Sequence, residues 1–72
     1  MKITINGEAH DFDGDTISHE QVCELAKEPV YASVMYEGPR HGDMRREGIT
    51  HVGKTIRVED GMDFSCVVTG NA

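Results

Sequence analysis

One stretch of this chain has helical periodicity, "ISHEQVCELAKEPV", and it is sharply bounded. Ser18 stands three residues before Gln21, the spacing of a capping box, and Ile17 and Val22 flank it as a hydrophobic staple. Val22, Leu25 and Ala26 recur at helical spacing, and Pro29 ends the run because it lacks an N–H and holds Glu28 extended. The predicted helix covers His19 to Lys27, so short that tertiary packing must hold it. Nearly everything else alternates with period two. A lone helix covers one face of one sheet, so the sheet's other face is left toward solvent.

The strands follow from the alternation. In "KITING", Ile3 and Ile5 face one way and Lys2, Thr4 and Asn6 the other; Asn6-Gly7 is a hairpin signal, and "EAHDFD" returns antiparallel with Phe12 turned inward. "VYASVMYE" sets Ala32, Val34 and Tyr36 against Tyr31, Ser33 and Met35. Residues Gly38 to Gly48, rich in glycine, proline and charge, read as an exposed loop whose far end Ile49 and Val52 pin to the core. "KTIRV" is a brief fourth strand, and Asp60-Gly61 turns it into a last one in which Met62, Phe64, Cys66 and Val68 alternate with Asp63, Ser65, Val67 and Thr69. The order ββαβββ predicts an α+β chain of β-grasp type, with the last strand parallel to the first in a mixed curved sheet. Helix-facing residues are expected to be Ile3, Ile5, Val22, Leu25, Ala26, Val34, Phe64 and Cys66. Residues 1–69 form the domain and residues 70–72 a tail.

Size and charge narrow the function. With 72 residues the chain makes one domain with a modest core and little room for a deep catalytic pocket. Thirteen acids against seven bases give a net charge of −6, which repels nucleic acid and anionic membranes and attracts basic protein surfaces. No run approaches the roughly twenty apolar residues of a membrane span. Cys23 and Cys66 are too few for a disulfide framework and no secretory signal precedes them, so the expectation is a cytoplasmic protein.

Chemistry-bearing residues are sparse. His10, His19, His41, His51 and the two cysteines show no metal-ligand spacing and fall on different elements. Asp11, Asp13 and Asp15 surround Gly14 without the bidentate Glu of a calcium loop. Arg40, Arg45 and Arg46 in "PRHGDMRRE" form either a basic docking point or a solvated loop tip. Tyr31, Met35 and Val67 fall on the face away from the helix. A methionine and aromatic stripe is more often core, but no second layer covers this one, so a partner-binding surface weighs equally.

"ISHEQVCELA", "VYASVMYEGP" and above all "VGKTIRVEDGMDFSCVVTGNA" resemble the bacterial multiubiquitin-type ubiquitin-like domains, over nearly the whole chain. That family is encoded in operons with activating and conjugating enzymes and a deubiquitinase-like metallopeptidase. The resemblance implies a β-grasp protein modifier, not an enzyme, that holds no cofactor of its own. The peptidase would remove Asn71 and Ala72, and the activating enzyme would use ATP to adenylate Gly70. The conjugating enzyme would then receive Gly70 and join it to amines on target proteins. Glycine suits that role because the absence of a Cβ lets groups approach the reacting carbonyl. Two other readings stand beside it: a sulfur carrier using the same adenylation, although such relatives end in an exposed Gly-Gly, and a β-grasp binding module with an uneventful tail.

Overall fold

A computed structural model describes residues 1–68; Gly70 and Asn71, on which the processing and conjugation expectations fall, lie outside the described residues. The described residues form seven strands and one helix in the order β1 (Lys2–Ile5), β2 (Glu8–Asp11), β3 (Thr16–Ser18), α1 (His19–Ala26), β4 (Ser33–His41), β5 (Met44–Thr50), β6 (Thr55–Arg57) and β7 (Met62–Val67). A five-stranded mixed sheet runs β2-β1-β7-β4-β5, and β3 pairs with β6 in a separate two-stranded ribbon. The expected parallel pairing of first and last strands is present, with Ile3 opposite Met62 and Ile5 opposite Phe64. This is a β-grasp-like fold in which β7 lies in the middle of the sheet and α1 packs across one face.

The helix begins as its sequence dictates. Ser18 Oγ accepts from the Gln21 N–H at 3.0 Å and Gln21 Oε1 accepts from the Ser18 N–H at 2.9 Å, closing the capping box. Ile17 and Val22 are both fully buried, as a staple requires. Lys27 ends α1 in the left-handed conformation (φ 59°), one residue after the last helical position. Ile3, Ile5, Val22, Val34, Phe64 and Cys66 form the centre of the core, and Leu25 and Ala26 pack partly buried against it.

Four expectations are corrected. Residues 38–48 are not a loop: β4 runs to His41, and a two-residue Gly42-Asp43 turn, with Gly42 at φ 66°, leads into β5. Pro39 sits where the register shifts between Glu37 and Arg40, a position that tolerates the missing N–H. Ile49 and Val52 do not pin this segment to the core; they are 69% and 56% exposed, and Thr50 is buried instead. β4 also starts later than expected: Val30 to Ala32 form a turn closed by the Ala32 N–H to Pro29 carbonyl bond at 3.0 Å, so Tyr31 precedes the strand. Finally, the strands among the described residues number seven rather than five, because β3 and β5 were not anticipated.

Candidate functional site

The sheet face away from α1 is where the unspent chemistry collects. β4 and β7 pair antiparallel with Ser33 opposite Val67 and Met35 opposite Ser65, which makes Met35 and Val67 diagonal neighbours on the solvent side. Met35 is 50% and Val67 46% exposed, and Tyr31, just before β4, is 74% exposed. Across the β4–β5 pair, Ile49 stands directly opposite Met35. Sequence reading missed Ile49 because it assigned that residue to the core. Once "MRREGIT" is recognised as a strand, alternation alone puts it beside Met35.

One row further along, the register aligns three carboxylates: Glu37 lies opposite Glu47 on β5 and Asp63 on β7. Met35, Glu37, Glu47, Ile49, Asp63 and Ser65 line an open groove of about 510 Å³ on this face. It is shallow and lacks the enclosed cavity that acid–base catalysis would need.

Of the three arginines expected at a docking point, Arg40 is exposed on β4 opposite Arg45, and Arg45 and Arg46 have partners within the chain. Arg45 Nη1 lies 3.5 Å from Glu37 Oε2 on the solvent face. Arg46 points to the other side, where its Nη1 donates to Glu59 Oε2 at 3.1 Å, its Nη2 donates to the Arg57 carbonyl, and its guanidinium stands 5.7 Å over the Tyr36 ring. Arg46 thereby fastens the β4–β5 hairpin to the end of β6 and the segment that follows it.

The inner face holds a polar cluster that local sequence reading could not find. His19 is 1% exposed, and both ring nitrogens are satisfied: Nε2 lies 2.7 Å from the Val30 carbonyl and Nδ1 2.7 Å from Thr50 Oγ1. A carbonyl only accepts, so Nε2 carries the proton and the Thr50 hydroxyl donates to Nδ1 in the neutral ring. Cys23 Sγ lies 3.5 Å from His19 Nε2 and 3.9 Å from Cys66 Sγ. Both thiols are free and buried, and burial, with the Cys23 hydrogen bond and the charges of Cys23 and Glu28 behind it, pushes Cys66 up to about 12. Such a thiol is no nucleophile at neutral pH. Among the described residues no group of three or more His, Cys, Asp or Glu side chains is placed to hold a metal ion. No described helix is long and apolar enough to cross a membrane.

The end of β7 is held on both sides. On the β4 side Val67 pairs with Ser33, and on the β1 side the Asn6 carboxamide bonds both backbone groups of Cys66. Comparison with protein-family models, curated proteins and solved structures finds no match to this chain.

Proposed function

We propose that this protein is a bacterial ubiquitin-like modifier, conjugated through Gly70. The observation that carries the reading is the placement of β7. A central, doubly anchored strand delivers the chain to the end of the sheet at Val67, and Gly70 follows three residues later. Three residues span at most about 10 Å, so an enzyme acting on Gly70 must come close to the rim of the sheet. There it meets the exposed face of Met35 and Val67, with Tyr31 nearby in sequence on the turn before β4.

The chemistry follows in order. The metallopeptidase hydrolyses the Gly70–Asn71 bond and frees the Gly70 carboxylate. That carboxylate attacks the α-phosphorus of ATP on the activating enzyme, expelling pyrophosphate. A cysteine thiolate then displaces AMP, the acyl group passes to the conjugating enzyme, and a target amine displaces the thiol. Every catalytic group belongs to a partner in the cytoplasm. The modifier contributes a carboxylate on an unhindered residue and a surface by which to be held.

The test uses a chain ending at Gly70, incubated with its activating enzyme and ATP. Pyrophosphate release that is lost in Gly70→Asp supports the reading, and release unaffected by that change contradicts it. Met35→Asp should weaken enzyme binding while leaving the fold intact, because the side chain points away from α1. A sulfur carrier would instead yield a thiocarboxylate, and a plain binding module would give no pyrophosphate at all.

A further inference from the structure

We propose that the solvent-face groove docks a basic segment of a partner protein, one that presents an apolar side chain between lysines or arginines. The inference rests on the proposed function only for the partner's place in a conjugation pathway; the groove and its charge are independent of Gly70.

Two separate observations carry it. The first is the apolar pair Met35 and Ile49, adjacent across β4 and β5, both lining the groove and 50% and 69% exposed. Exposed apolar neighbours lining a groove suit one inserted aliphatic side chain. The second is the row Glu47–Glu37–Asp63 beside them. Directly opposed residues on neighbouring strands hold their Cβ atoms about 5 Å apart, and like charges so placed destabilise a sheet. Among the described residues the one cation within ion-pair reach of this row is Arg45, against Glu37; Glu47 and Asp63 have none. A partner's lysine or arginine relieves that repulsion while its apolar neighbour covers Met35 and Ile49.

The same charge disfavours other occupants. A second copy, also at net charge −6, would set carboxylates against carboxylates, and phosphate-bearing ligands would be repelled. Arg45 then acts as a competitor that the incoming cation displaces from Glu37.

The test is a titration of the isotopically labelled full chain with the short capped peptide KKLKK, followed by backbone amide shifts. The expected result is movement of the amides of Met35, Ile49 and Ser65, with binding weakened by salt and absent for EELEE. Glu37→Lys should weaken binding about tenfold, the direction expected for charge reversal at an interface, and Arg45→Ala should strengthen it. Glu24→Lys, an equal change of net charge on the exposed side of α1, should have little effect. Glu47→Gln serves if Glu37→Lys disturbs the fold, and it too should weaken binding. Absence of shifts, equal binding of EELEE, or equal weakening by Glu24→Lys would overturn the proposal. None of these outcomes depends on Gly70, so loss of conjugation and loss of docking are read separately.

Discussion

The side chain of Asn6 is hydrogen-bonded to both backbone groups of Cys66: Oδ1 accepts from the N–H at 2.8 Å and Nδ2 donates to the carbonyl at 3.0 Å. It continues the parallel ladder one step past the last main-chain bond, from the Asn6 N–H to the Phe64 carbonyl at 2.9 Å. Asn6 also fills a left-handed turn position (φ 53°) that asparagine tolerates, so one residue both turns the first hairpin and anchors the last strand.

Asn6→Gly keeps the turn and removes the anchor. Losing two hydrogen bonds to a part-buried backbone should cost about 1–3 kcal/mol. The Cys66 amide should also exchange with solvent faster relative to the Phe64 amide in mid-strand. Unchanged exchange at Cys66 would show that the side-chain bonds do not hold the strand end.

Thr50→Val is nearly isosteric and leaves His19 Nδ1 without its donor in the core. An unsatisfied buried acceptor costs about 1–3 kcal/mol, so the urea midpoint should fall clearly. The variant tests whether the His19 bridge joins α1 to the end of β5; a midpoint equal to that of the parent would say that it does not.

Stability should decline at alkaline pH through Cys66. In the unfolded chain its thiol ionises near the ordinary 9.0, whereas in the folded chain burial raises it to about 12. Between those values the unfolded state sheds a proton that the folded state keeps, so stability present below about pH 9 is lost progressively as pH rises toward 12. Cys66→Ala should flatten this slope in denaturant titrations between pH 8.5 and 11, a window chosen from those two values. A parallel slope would assign the alkaline loss to other groups.

The parts of the fold legible in the sequence were those written in local signals. The capping box at Ser18 and Gln21, the Pro29 stop, the Asn6-Gly7 turn and the alternation of Met62, Phe64 and Cys66 each act within a few residues. β5 was hidden because its inward positions are not apolar. Arg46 covers Tyr36 with a guanidinium, Gly48 leaves room for the Tyr36 ring, and Thr50 bonds His19. The Gly42-Asp43 pair is itself a hairpin signal, hidden within a segment whose glycine, proline and charge read as a loop. β3 is three residues long, too short for a period to register, whereas β6, equally short, was legible in "KTIRV". Of the candidate site, Met35 and Val67 were readable from alternation, whereas the carboxylate row exists only through the register of three strands.

Whether Gly70 is the reacting residue is decided by intact-mass measurement of this chain after incubation with the metallopeptidase, then with the activating and conjugating enzymes and ATP. The expected result is loss of the segment after Gly70, followed by adducts on target amines whose mass corresponds to a modifier ending at Gly70. An unprocessed chain, cleavage at another bond, or a processed chain that never leaves the free pool would contradict it.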